Sequence, residues 1–133
     1  MALVGKLQRG GLIALVLVSN LRVVCGMSFT PRLVLVTASG ADEARALAGA
    51  VLERRLAACV NILPGVESHY WWQGKLDSAQ EVLLVIKSSA EQFDELAKLV
   101  KERHSYECPE IIALTPEEIA PAYRAWWESE GAR

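Results

Sequence analysis

The chain has 133 residues, of which 52% are hydrophobic and 23% are charged, and its formal net charge is −2. This length is enough for one domain and too short for two ordinary ones, and the composition favours a folded globule over a disordered chain. The sequence has no basic stripe of the kind that nucleic-acid binding needs, so nucleic acid is not an expected partner. The three cysteines, Cys25, Cys59 and Cys108, are widely spaced and odd in number. That pattern argues against a disulfide framework and predicts buried, reduced thiols.

Residues 1–26 differ in composition from the rest, with three basic residues, no acidic one and an apolar run of eight at 11–18. A bilayer span takes about 20 residues, so no stable membrane span is expected. Two interpretations stay open: a secretory signal, or an upstream extension with Met27 as the working start. In both, residues 27–133 are expected to form a single domain. The expected location is the cytoplasm, with export as the alternative if residues 1–26 act as a signal peptide.

The first elements are a strand and a helix. Residues 31–37 are almost continuously apolar, which predicts a central strand covered on both faces. Residues 39–42 predict a turn that caps a helix. The helix is expected to run to about Ala58. Its predicted apolar stripe consists of Leu47, Ala48, Val51, Leu52 and Leu56.

The next segment, residues 58–75, predicts the first arm of a long β-hairpin. Pro64-Gly65 interrupts the alternation of apolar residues and predicts a bulge. When alternation resumes, the adjacent Trp71 and Trp72 must lie on opposite faces of the strand. Gly74 is expected to supply the turn, and residues 81–88 the return strand. One small domain cannot bury both indole rings, so the exposed ring needs a partner chain, a ligand or the other arm of the hairpin.

The last elements complete a ferredoxin-like pattern. Ser88 and Glu91 have the spacing of a capping box, which predicts a helix that ends at His104. Residues 110–114 predict a fourth strand. Pro121 is expected in the first turn of a short final helix. That helix would place on one side Tyr123, Trp126 and Trp127.

The order of elements predicts an α+β fold of the ferredoxin-like split βαβ type (βαββαβ), with a long β-hairpin and a short C-terminal helix. Both helices of the repeat cover one face of the sheet in that fold. The other face is therefore expected to be covered by another subunit.

Residues 104–110 place an imidazole, a phenol, two carboxylates and a thiol close together in sequence. Imidazole and thiolate suit copper and zinc, so His104 and Cys108 are candidate metal ligands. The alternative is that His104 complements the end of a helix dipole while Tyr106 packs against the sheet. No nucleophile motif, phosphate-binding loop or Cys-x-x-Cys pattern occurs, so the protein is not expected to be an enzyme.

Several motifs in order resemble those of the CutA family of divalent-cation-tolerance proteins, from about Arg32 to Trp127. The residues that carry the resemblance are Ala57-Ala58-Cys59-Val60-Asn61-Ile62, Pro64-Gly65-Val66, Ser68, Tyr70, Trp72-Gln73-Gly74-Lys75, Glu81, Lys87, Tyr106-Glu107 and Pro109-Glu110-Ile111-Ile112. The resemblance implies a tight homotrimer in which hairpins cross onto neighbouring subunits. The expected trimer-interface residues are Tyr70, Trp71 and Trp72. The resemblance also implies a link with copper binding and metal tolerance rather than with an enzymatic activity.

The copper pattern of the resembled family is incomplete in this chain. That pattern has a cysteine near the end of the first strand and two histidines before a Pro-Tyr pair. This chain has Val36 and Arg103 at two of those positions, and Ser105 in place of the proline. Copper or another divalent cation is therefore expected to bind weakly, through His104 and Cys108.

Two other functions stay open. The chain is similar in its expected architecture to PII-type regulators, ferredoxin-like trimers that bind nucleotides and effectors in clefts between subunits. Candidate cleft residues are Glu67, Lys75, Lys87, Tyr106 and Glu107. The third hypothesis is a structural trimer that steadies partner proteins.

Overall fold

The computed structural model describes residues 28–131, which form seven elements. In chain order these are β1 (Pro31–Ala38), α1 (Ala41–Glu53), β2 (Cys59–Trp72), β3 (Lys75–Ser89), α2 (Phe93–Arg103), β4 (Ile111–Leu114) and α3 (Pro121–Gly131). The predicted α+β ferredoxin-like fold, with its long hairpin and C-terminal helix, is confirmed. The interpretations of residues 1–26 concern a segment outside the described residues.

The four strands form one antiparallel sheet in the order β2-β3-β1-β4. The helices α1 and α2 lie on one face of this sheet, and α1 packs against three strands and against α2. Alternate residues of β1 and β3 point into the space below the helices and are almost fully buried. The core includes Val34, Val36, Ala38, Leu47, Val51, Leu56, Val82, Leu84, Ile86, Leu96, Leu99 and Val100.

The opposite side of the sheet is apolar but is not covered by α1 or α2. We define the open face by its side chains on β1, β3 and β4, namely Leu33, Leu35, Leu83, Val85, Ile112 and Leu114. The first four are half-buried. Ile112 and Leu114 are 46% and 45% exposed. The expectation that another subunit covers this face stays a prediction.

The predicted bulge is confirmed, because the register of β2 and β3 shifts between Leu63 and Val66. Gly65 has a φ of 82°, in the left-handed region that favours glycine. Beyond the bulge, β2 and β3 continue as a two-stranded hairpin arm (residues 66–81). Gln73 and Gly74 both have positive φ, as a two-residue hairpin turn requires.

The return strand is longer at its start than predicted, since β3 begins at Lys75 rather than Glu81. Residues 75–80 are almost all exposed and carry little apolar alternation. They become a strand because their backbone pairs with β2, which the side-chain pattern does not reveal.

The predicted end of the first helix at Ala58 is wrong, because α1 ends at Glu53. Arg55 has a φ of 57°, which ends the helical conformation. Leu56 is only 3% exposed, so it continues the apolar pattern from beyond the helix end, whereas Leu52 is 39% exposed. The apolar pattern predicted the burial of Leu56 correctly, but this residue lies in the loop after the helix.

The predicted capping box is also wrong. Ser88 lies in β3, and its hydroxyl donates to the carbonyl of Leu56 at 2.7 Å. The helix α2 begins only at Phe93, with Gln92 as its N-cap. Glu91 accepts hydrogen bonds from the backbone N–H and the hydroxyl of Thr30, at 3.0 and 2.7 Å. Both residues of the expected box therefore bond to distant parts of the chain.

The final helix begins at Pro121 as predicted. Trp127 is 2% exposed, and its indole N–H donates to the carbonyl of Ser88 at 3.0 Å. The rings of Tyr123 and Trp126 lie 5.4 Å apart. Among the described residues, no helix is both long and apolar enough to cross a membrane.

The prediction of buried thiols is wrong for Cys108, which is exposed, while Cys59 is half-buried. Cys108 lies between α2 and β4, in a connection that runs over the surface, where burial is uncommon. Cys25 lies outside the described residues.

A protein that begins at Met27 is expected to fold with an unchanged melting temperature. The reason is that the residues of the hydrophobic core all lie between Val34 and Val100. Thermal unfolding followed by circular dichroism, with the full chain as the control, measures this. Aggregation of the shortened protein, or a clearly lower melting temperature, would contradict the prediction.

Candidate functional site

His104 follows the last residue of α2, and its side chain is fully buried. Its Nε2 lies 2.8 Å from the carbonyl oxygen of Thr37, and its Nδ1 accepts the backbone N–H of Tyr106 at 3.0 Å. Because Nδ1 is an acceptor, the ring proton of the neutral imidazole sits on Nε2 and is donated to Thr37. Both ring nitrogens are therefore engaged with the backbone.

Glu43, in the first turn of α1, binds Ser105, the residue that follows His104. Its carboxylate accepts the backbone N–H of Ser105 at 2.8 Å, and both the N–H and the hydroxyl of Ser39, at 2.9 and 3.0 Å. Burial by itself raises the pKa of Glu43, but the hydrogen bonds from Ser105 and Ser39 outweigh it and bring the pKa to about 2. One carboxylate thus joins the start of α1 to the segment that follows α2.

Glu43→Gln is expected to lower the free energy of unfolding by about 2 kcal/mol at pH 7, because charge-assisted hydrogen bonds are lost. The folded-state pKa of about 2 is below the ordinary 4.5, so this contribution is present above pH 4.5 and is lost as the pH falls towards 2. Urea unfolding at several pH values measures it. Glu53→Gln, an exposed position of the same helix, is the control. A difference between wild type and Glu43→Gln that does not shrink in acid would contradict the prediction.

Tyr106 extends the network to β3. Its hydroxyl donates to Oε2 of Glu81 at 3.1 Å, and its ring lies 4.8 Å from the imidazole of His104. Burial and the Glu81 carboxylate raise the pKa of Tyr106 to about 12. Burial, followed by the charge of Glu81, also raises the pKa of Glu110. We call His104, Ser105 and Tyr106, with their partners Thr37, Glu43 and Glu81, the His104 junction.

The candidate cleft residues do not meet within one chain. Lys75 and Lys87 lie towards the two ends of β3, at a separation of about 40 Å along an extended strand. Glu67 lies on the hairpin arm, 3.3 Å from His69, and Glu107 is exposed. Of the five candidates, the junction contains Tyr106.

The candidate metal ligands do not form a ready-made site. His104 is buried and hydrogen-bonded at both nitrogens, whereas Cys108 is exposed. Within residues 28–131, no group of three or more histidine, cysteine, aspartate and glutamate side chains is placed to hold a metal ion. The described residues of one chain therefore form no metal site by themselves, and binding through His104 and Cys108 stays a prediction.

The candidate interface residues lie on the hairpin arm. Trp71 is 71% exposed and is paired across the arm with Leu76, which is also 71% exposed. Trp72 and Tyr70, at 47% and 37%, are exposed as well. The two tryptophans occupy successive strand positions and so lie on opposite faces, as predicted. Their role in a trimer interface stays a prediction.

The sequence patterns assigned no structural role to Glu43 or Glu81. Ser39 precedes Glu43 by four residues, one more than in a capping box, so the usual cap spacing does not indicate the contact between them. Nothing local to Glu81 indicates its contact with Tyr106, which lies 25 residues further along the chain.

The curated relatives support one family. A protein of Thermus thermophilus, "Divalent-cation tolerance protein CutA", is 45% identical over 93 residues, which cover 70% of this chain and 90% of that protein. The rice protein "Protein CutA 1, chloroplastic" is 47% identical over 61% of this chain, and the mouse protein "Protein CutA" is 42% identical over 68%. The matches span about half of the rice and mouse proteins, 46% and 51%.

The solved structures and the family comparison agree with these relatives. The structure of a divalent cation tolerance protein (Cut A1) from Thermus thermophilus has a TM-score of 0.73 and 42% identity, and the match covers 75% of this chain and 97% of that one. CutA1 from Oryza sativa has a TM-score of 0.72 and 40% identity, covering 77% and 94%. The family described as "CutA1 divalent ion tolerance protein" matches residues 32–130. This chain is therefore a member of the CutA1 divalent ion tolerance family.

Proposed function

We propose that the protein acts in divalent-cation tolerance as a homotrimer whose subunits meet through the open face and the hairpin arm. The observation that carries the proposal is the apolar open face, where Ile112 and Leu114 remain 46% and 45% exposed. Large contiguous apolar patches mark interaction surfaces in soluble proteins. The role is a non-enzymatic one, since the family is named for ion tolerance and not for a reaction.

The hairpin arm gives independent support. Most of its residues beyond the bulge are exposed, including Trp71 and Leu76. A two-stranded hairpin alone is marginally stable in water, so contact with a neighbouring subunit would stabilise it. Obligate interfaces commonly bury more than about 2,000 Å², so the proposal expects the open face and the arm to be buried together on assembly.

Light scattering coupled to size-exclusion chromatography tests the assembly at micromolar concentration. The expected mass is three times that of the chain. A monomeric mass would contradict the proposed trimer and therefore the proposal that the protein acts as a homotrimer.

A second candidate function is the binding of a small anionic ligand between subunits. Lys87 is half-buried. Its side chain lies on the same face of β3 as that of Val85, and its cross-strand partner on β1 is Leu33. It forms no ion pair within the part of the chain that the structure describes. An ammonium group in apolar surroundings favours an anionic partner, and a nucleotide phosphate would supply one. Titration with ATP, followed by tryptophan fluorescence in wild type and Lys87→Gln, tests this candidate.

We propose that the protein is located in the cytoplasm. Export is the alternative if residues 1–26 act as a signal peptide. One solved relative is the periplasmic divalent cation tolerance protein CutA from Archaeoglobus fulgidus, which supports the alternative. Fractionation of cells that express the full chain shows which compartment holds the protein. The mass of the mature protein shows whether residues 1–26 have been removed.

A further inference from the structure

We infer that His104 is a positioning residue, which orders the segment after α2 and is closed to metal ions. The inference stands on the contacts of the His104 junction and does not depend on the proposed trimer. It differs from the sequence-based expectation, in which His104 and Cys108 bind copper or another divalent cation.

Neither nitrogen of the His104 ring has a free lone pair. A histidine binds a metal ion through an unprotonated nitrogen. Nε2 carries the proton that is donated to Thr37, and the lone pair of Nδ1 accepts the N–H of Tyr106 at 3.0 Å. A metal ion would have to displace one of these backbone groups, which would then lose its hydrogen bond to the ring.

The ring of His104 is enclosed and lies beside the carboxylate of Glu43. The side chain of His104 is fully buried, and Oε1 of Glu43 lies 3.9 Å from Nε2. That oxygen already accepts two hydrogen bonds from Ser39, and the other carboxylate oxygen accepts one from Ser105. The carboxylate beside the ring is therefore engaged as well.

His104 also orders the segment that follows α2. The bond from Tyr106 N–H to Nδ1 fixes the backbone of the segment that follows the helix, and the two rings lie 4.8 Å apart. This placement brings the Tyr106 hydroxyl to Glu81 on β3, while Nε2 is bonded to Thr37 on β1. His104 thus connects the end of α2 to two strands.

The metal part is tested by NMR on the 15N-labelled full chain with zinc chloride. The His104 ring signals are expected to show the Nε2–H tautomer and to stay in place on addition of zinc. His69, 68% exposed, is the internal reference, and His69→Gln assigns the two sets of signals. A zinc-dependent shift of His104 Nδ1 would overturn the inference. So would copper binding by calorimetry that is lost in His104→Gln and kept in His69→Gln.

The positioning part is tested by two variants that each keep one hydrogen bond. The side-chain amide of His104→Gln can replace the Nε2 donor, and the side-chain oxygen of His104→Asn can replace the Nδ1 acceptor. Hydrogen exchange of the Tyr106 amide is expected to be roughly tenfold faster in His104→Gln and close to wild type in His104→Asn. Equal acceleration in both variants, matched by amides throughout the core, would show a general loss of stability and overturn the positioning role.

Discussion

Leu35→Glu is expected to dissociate the proposed homotrimer. Leu35 lies on the central strand β1, and its neighbours across the open face are Val85 and Ile112. A carboxylate buried there without a partner would weaken assembly by at least about 4 kcal/mol, roughly a thousandfold in the dissociation constant.

Light scattering at several protein concentrations measures this effect, and circular dichroism reports whether the dissociated subunit stays folded. The matched control is Leu52→Glu, which places the same charge at a 39% exposed leucine of α1. A trimer of unchanged mass and melting temperature in Leu35→Glu would show that the open face is not the interface.

Trp127→Ala is expected to lower the free energy of unfolding by about 3–5 kcal/mol. The ring is 2% exposed, and its N–H donates to the carbonyl of Ser88, so the change leaves a cavity and removes one hydrogen bond. Trp127→Phe keeps most of the apolar volume and should cost less.

Urea unfolding at one fixed protein concentration measures the effect, because assembly makes stability depend on concentration. Trp126→Ala, at a half-buried position of the same helix, is the control and should cost less. If the two alanine variants were equally stable, α3 would not depend on Trp127 for its attachment to β3.

The sequence by itself determined the order of elements and several of their local features. The continuous apolar run of β1, the bulge at Pro64-Gly65, the turn at Gly74 and the start of the last helix at Pro121 were all predictable. Each follows from a backbone preference or from alternation within a few neighbouring residues. Such constraints do not depend on the rest of the chain.

The tertiary structure alone decided which partners the polar side chains use. Glu91 bonds to Thr30, 61 residues away, and not to Ser88. Glu43 bonds to Ser105 over 62 residues, and His104 to Thr37 over 67. A short motif shows which donors and acceptors a segment carries, but folding brings distant backbone groups into competition for the same lone pairs. The burial of the His104 ring and the use of both its nitrogens therefore depend on where α1, β1 and β3 lie around it.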